Sequence, residues 1–360
     1  MIYEIFGRNI QINIENIQLK NILKEELQHY LINNKNADVI ITIGEHFPKE
    51  QEFSNTPTIH KSFKNAFLSD YGSYKILYIN DVQLNIYVSM ENINNFLRKF
   101  ISIDFRENYD RIGHIVHELV LVPLNLFFND RALIHASTMK NLYNGRTVMF
   151  GGTGGVGKTS LELLLCRELN YSFISDDIAI VTKDSGVYPN LAYPKIYAYN
   201  VENNKSLEKI LFSNKPYIDK LQWNFIKKYR GNNRVRRSIS PSKIYNSIEV
   251  NKNYVDEYYV LFKTNTVTSI EIFPITEEEA TSVSFKIIQN EYQSVFQHII
   301  WHEYNCELMN FSPLITMKNI NQVTVDIYEN FFKKVKCYKI KIPIDIKHDE
   351  FLNQMKDKFK

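Results

Sequence analysis

Residues 148–160 read Val-Met-Phe-Gly-Gly-Thr-Gly-Gly-Val-Gly-Lys-Thr-Ser, and within them Gly152 to Thr159 has the spacing G-x-x-x-x-G-K-T. An apolar, strand-like run (RTVMF) precedes the glycines and a helical run (TSLELLLCREL) follows, the setting in which this spacing makes a phosphate-binding loop. Five of the twelve glycines fall within the seven residues 151–157. Glycine lets successive backbone N–H groups turn toward one anion, and a helix that starts at the loop adds the positive end of its dipole. The expected contact set is Gly152, Thr153, Gly154, Gly155, Val156, Gly157, Lys158, Thr159 and Ser160. Lys158 supplies a mobile positive charge for the β- and γ-phosphates of ATP, and the Thr159 hydroxyl is placed to ligate Mg²⁺. The competing reading is a flexible turn with a stray lysine.

Downstream, the run Phe-Ile-Ser-Asp-Asp-Ile-Ala-Ile-Val (173–181) ends an apolar segment in two acids, Asp176 and Asp177. Read as one strand, it delivers both to the sheet edge where the phosphates lie, with the two carboxylates on opposite faces. One then faces Mg²⁺ and the other an acceptor hydroxyl, a pairing that suits phosphoryl transfer better than mechanical ATP hydrolysis. Alternatively the acids only solvate a strand end.

Further out, the chain divides into a predicted N-terminal α+β segment, 1–128, and an α/β segment, 129–360. The first shows a hairpin (2–14), a helix over Leu19 to Leu31, a strand at 38–43, two strands at 74–79 and 84–88, and a helical stretch over 107–128 interrupted at Pro123. The second runs strand (ALIHAS), strand, glycine loop, helix and strand. Strands at 256–262 and 269–273, a helical span over 277–304, and a final helix, strand and helix follow.

Composition sets the bounds. With 360 residues, 44% hydrophobic and 23% charged, the chain has the profile of a folded protein of one large or two ordinary domains. Forty-three Lys and Arg against 40 Asp and Glu give a net charge of +3, too balanced to predict a nucleic-acid or membrane partner. Cys166, Cys306 and Cys337 form no C-x-x-C pair, which predicts neither a disulfide framework nor a cysteine metal site and fits a reducing cytoplasm. No signal-peptide pattern or membrane-length apolar run is visible.

Taken together, LIHAST (133–138), VMFGGTGGVGKTS (148–160) and FISDDIAIV (173–181) resemble the catalytic core of HPr kinase/phosphorylase, within the phosphoenolpyruvate carboxykinase-like P-loop proteins. In layout the chain is closest to peptide-modifying relatives such as lasso-peptide kinases. The resemblance implies a mixed-sheet kinase core, Asp176 as general base, Asp177 and Thr159 as metal ligands, and His135 beside the transferred phosphate. It also implies a peptide or protein acceptor bearing a Ser or Thr hydroxyl, and it admits a homo-oligomer. Read from the residues alone, His135 is a lone histidine on a strand, of the kind more often found in a core or on a surface.

Between Lys227 and Arg237 (KKYRGNNRVRR) lie six basic residues and no acid. Arg230, Arg234, Arg236 and Arg237 are candidates for holding an acceptor or the moving phosphoryl group, against the plainer reading of a solvated loop. The pairs His298/His302 and His114/His117 lack a third ligand and read as structural. The resulting expectation is an ATP- and Mg²⁺-dependent kinase of a peptide hydroxyl. A small-molecule hydroxyl kinase and a nucleotide-dependent switch are the alternatives.

Overall fold

The computed structural model describes residues 1–33, 35–44, 54–55, 60–72, 74–90, 110–202, 204–213 and 215–360. The chain is mixed α and β, with several mixed sheets. Alternation builds the N-terminal sheet: in Val39–Gly44, Val39, Ile41 and Ile43 are buried while their neighbours are half-buried, so one face of the strand meets the core. Nine strands join here, with Arg8–Ile14, Val39–Gly44 and Leu84–Met90 parallel at the centre and antiparallel hairpins on both sides. The expected hairpin and strands are present, and the expected helix forms over Ile17–Glu26 but stops short of Leu31, which instead pairs in the edge strand Leu31–Ile32.

The expected interruption at Pro123 is not observed, and residues 107–109 of that reading lie outside the described residues. Helix continues from Asp110–Ile115 through a π-helical turn, Val116–Leu121, into Val122–Leu124 and a 3₁₀ turn, Asn125–Phe127. Widening to i→i+5 bonding accommodates the proline, which has no N–H to give. The carbonyls it would have served find other donors: Tyr292 Oη donates to Glu118 O at 3.0 Å and Tyr78 Oη to Leu119 O at 3.4 Å. The helical stretch therefore holds through tertiary contacts that local sequence does not reveal.

The second half is built on a six-stranded sheet in the order Tyr171–Ser175, Ala136–Asn141, Thr147–Gly151, Glu257–Thr264, Lys336–Pro343, Glu271–Pro274. Its three central strands are parallel, which leaves the carboxyl end of Thr147–Gly151 open for the glycine loop. The helix Lys158–Glu168 then runs back across the sheet with Leu161, Leu163, Leu164, Leu165 and Cys166 all buried. Helix His348–Phe359 closes this face: Phe359 meets Phe150 and Tyr259 edge-on, and Tyr171 Oη donates to its carbonyl at 3.1 Å.

Two strands expected to be continuous are each broken. ALIHAS divides at His135 into Ala132–Ile134 and Ala136–Asn141, and FISDDIAIV divides at the acids into Tyr171–Ser175 and Ala179–Val181. The outer pieces pair in a separate four-stranded sheet with Gly186–Tyr188 and Asn253–Tyr254. Asp177 has φ +65°, a left-handed conformation incompatible with a strand. The acids thus occupy a turn, and the opposite-face geometry expected for them does not occur.

One large apolar cluster draws on both halves, from Tyr3 to Phe359, beside two smaller ones. Polar contacts also tie the halves: the Leu191 N–H donates to Tyr30 Oη at 3.0 Å, and His302 Nδ1 meets Ser62 Oγ at 3.0 Å. Among the described residues no helix is long and apolar enough to cross a membrane.

Candidate functional site

The site begins where two paired chains fork. Ile134 still faces Ala179 in one sheet and Thr138 faces Ser175 in the other, so the pairing between these two chains lapses across His135, Ser137, Asp176 and Asp177, and Ser137 keeps its ladder partner, Phe150, on the other side only. Their side chains pair instead. His135 Nε2 lies 2.9 Å from Asp177 Oδ1, and Ser137 Oγ donates to Asp176 Oδ1 at 2.9 Å.

The glycine loop closes over this fork. Gly157 starts the helix at φ +113°, and a Cβ there would stand 2.9 Å from the Phe351 ring; Gly152, at φ +139°, would bring one 2.9 Å from Leu261 O. Both positions exclude a side chain on conformation and on space. Lys158 folds back to donate to Gly152 O at 2.7 Å and Thr153 O at 3.0 Å. Burial lowers its pKa, against the attraction of Asp177, Asp176 and Glu291. Thr159 Oγ1 donates to Asp176 Oδ1 at 3.3 Å.

A chain of polar contacts leads away from Asp177. Lys195 Nζ sits 3.0 Å from Asp177 Oδ2 and 2.7 Å from Glu118 Oε1, and Glu118 in turn meets His114 Nδ1 at 3.0 Å. Burial opposes ionisation of Asp177, yet Lys195 and the His135 hydrogen bond hold its carboxyl well below the ordinary value. Glu118 is likewise lowered to about 2, with burial opposed by Lys195 and His114. At the other end, Glu291 Oε1 accepts from the Gly154 N–H at 3.0 Å and lies 3.7 Å from His135 Nδ1.

His135, Lys158, Thr159, Asp176, Asp177, Lys195 and Glu291 line one cavity of about 600 Å³, whereas Ser137, Glu118 and His114 are not among its lining residues. Asp176 is nearly buried, 7% exposed, whereas the Asp177 side chain opens into the cavity at 45%. Beneath them Glu162 is fully buried on the loop helix and accepts from Tyr245 Oη. Burial foremost, then the nearby Asp176 charge, raises its pKa well above the ordinary value. Farther out, Tyr197, Tyr199, Ile346, His348 and Phe351 give the cavity an aromatic wall, and Lys263 adds a cation. Tyr199 and His348 meet edge-on at 5.5 Å.

Of the residues singled out from sequence, His135, Gly154, Gly155, Val156, Gly157, Lys158, Thr159, Ser160, Asp176, Asp177 and Arg236 line this cavity. Gly152 and Thr153 contribute carbonyls to Lys158 instead. Arg237 faces the other way and is paired with Asp219 at 2.5 Å; Arg230 and Arg234 are not among the lining residues. His298 and His302 are buried away from the site, in ring contact with Tyr71 and Phe67 respectively.

Sequence reasoning missed Lys195, Glu118, Glu291 and Ser137. Ser137 sits inside the LIHAST run, two residues after His135 and therefore on the same side of an extended chain. The other three arrive from distant elements and leave no local signal.

The oxygen donors Thr159 and Asp176 suit Mg²⁺, which is commonly held by one or two carboxylates together with substrate phosphates. No group of three or more His, Cys, Asp or Glu able to hold a metal by itself occurs among the described residues. No family model matches the chain, and a search of the curated proteins finds no match.

Proposed function

We propose that this chain is an ATP-dependent phosphotransferase of the HPr kinase-like type, moving the γ-phosphoryl group to a serine or threonine hydroxyl of a peptide or protein. The observation that carries the reading is the convergence of Lys158, Thr159, Asp176, Asp177 and His135 on one cavity beneath the glycine loop. The loop N–H groups and Lys158 bind the phosphates, and the aromatic wall packs the nucleoside. Thr159 and Asp176, already in contact, hold Mg²⁺, which when bound neutralises charge on the phosphates. In this reading the two acids exchange the roles that the family resemblance implies. Asp177 opens into the cavity and, with His135, receives the acceptor proton as the hydroxyl oxygen bonds to the γ-phosphorus and the bond to the β-phosphate oxygen breaks. Lys195 holds Asp177 in place as a positioning residue. Three free, buried cysteines accord with a reducing cytoplasm.

The test is intact-mass analysis of peptides encoded beside its gene after incubation with the protein, Mg²⁺ and ATP. Free serine serves as a small acceptor, and Asp176→Asn and Asp177→Asn as controls. A phosphate added to peptide by the wild type and by neither variant supports the reading. Phosphoserine alone moves the acceptor to a small molecule. Nucleotide binding with label reaching only water, or no acceptor at all, favours a nucleotide-dependent switch.

A further inference from the structure

The Gly154 N–H belongs to the set of loop groups that would otherwise face a phosphate, and in this structure its partner is a carboxylate of the same chain, Glu291 Oε1 at 3.0 Å. Glu291 ends helix Glu277–Glu291, directly before helix Gln293–Leu308, more than a hundred residues from the loop. Its side chain is 36% exposed, and its position is set by the backbone that carries it. Tyr292, the next residue, is buried and anchored through its hydroxyl to Glu118 O, so the backbone that carries Glu291 is fixed to the π-helical turn. The same oxygen lies 3.7 Å from His135 Nδ1, and that nitrogen is buried with no hydrogen-bond partner. Glu291 therefore meets two groups suited to an anion, one on the loop and one on the fork.

A bound triphosphate needs those same groups. A carboxylate and a phosphate oxygen compete for one N–H, and two anions at that separation repel each other unless a cation lies between them. Bare polyphosphate carries the larger negative charge and is the more strongly penalised, while a metal-neutralised polyphosphate is penalised less.

We propose that Glu291 is a specificity-determining residue of the loop, an internal anion that must be displaced for a ligand to enter and that favours metal-neutralised polyphosphates over bare ones. The inference rests on the nucleotide-site reading and adds which form of the ligand the site accepts.

The experiment is calorimetric titration of wild type, Glu291→Gln and Glu291→Ala with Mg²⁺-ATP, with ATP in EDTA, and with pyrophosphate in EDTA. Both variants are expected to bind the two metal-free ligands about tenfold more tightly than the wild type, one charge-assisted contact being worth that much. Their gain for Mg²⁺-ATP is expected to be smaller. Unchanged or weaker binding of metal-free ligands by the variants overturns the proposal, even if the wild type binds Mg²⁺-ATP and the nucleotide reading stands. Tighter pyrophosphate binding by the variants, with no nucleotide bound by any protein, keeps Glu291 as the internal anion and removes the nucleotide reading. No binding of any ligand to any of the three proteins removes both. Circular dichroism of the variants guards against loss of fold.

Discussion

The cluster around His135 and the cluster around His298 are built on different principles. At the cavity, His135 belongs to a row of polar side chains in contact, Glu291, His135, Asp177, Lys195, Glu118 and His114, with Lys195 between two carboxylates. Where helix Gln293–Leu308 packs on strand His60–Phe63, His60 and His298 are instead held by ring contacts, and His302 by a ring contact together with hydrogen bonds to Ser62 Oγ and from the Leu314 N–H. His60 lies against Trp301 at 5.4 Å and His298 at 5.0 Å, and His302 stacks on Phe67 at 4.8 Å. The first cluster opens into a cavity. The second is closed, and His60 Nδ1 and His298 Nδ1 are buried without a hydrogen-bond partner. A paired row of charges costs less to bury and can exchange one partner for a ligand; a stack of neutral rings fills volume and resists protonation.

The sharpest way to break this comparison is to remove the loop cation that shares the cavity with the first cluster. Lys158→Ala is expected to weaken Mg²⁺-ATP binding at least about 100-fold, ~2.7 kcal/mol, while His298→Phe leaves it unchanged in the same titration. Asp177→Asn is expected to slow phosphate transfer about 100-fold or more, the usual worth of a positioned base, with nucleotide affinity within about threefold of wild type. An Asp177→Asn variant that transfers normally would place the proton elsewhere.

Acid separates the clusters by pH window. Burial lowers His298 and His302 from 6.5 to about 4, with His60 adding to the effect on His298. The unfolded chain then binds protons first, so the stability linked to these rings is present above pH 6.5 and is lost as the pH falls toward 4. Glu118, lowered from 4.5 to about 2, contributes stability above 4.5 that is lost as the pH falls through about 2. Urea unfolding across this range is expected to show two successive losses. His298→Phe should flatten the upper one, and Glu118→Gln the lower. The smallest expected effect is His298→Phe at pH 8: a change in unfolding free energy within about 1 kcal/mol, since an aromatic ring of similar volume replaces a neutral one.

Much of the second half was legible because its signals are local. Glycine spacing located the loop, helical periodicity located Lys158–Glu168, and the alternating strands and closing helices fell within a few residues of their expected ends. The fork was not legible. ALIHAS and FISDDIAIV each have the composition of one strand, and only the divergence of two sheets breaks both at the same level. Local pattern likewise suggests that Pro123 stops a helix, because the tyrosines that serve the freed carbonyls lie far away in sequence. Lys195, Glu118 and Glu291 reached the site by the same long-range route, so a motif search finds the loop and the acids but not the charges that hold them.

The most direct test of the account is calorimetric titration of Mg²⁺-ATP into the wild-type protein and into Lys158→Ala. One saturable site per chain in the wild type, lost in the variant while circular dichroism is preserved, is the expected result. No saturable binding to the wild type, or equal binding to both proteins, would contradict the assignment of the glycine loop and the fork beneath it as a nucleotide site.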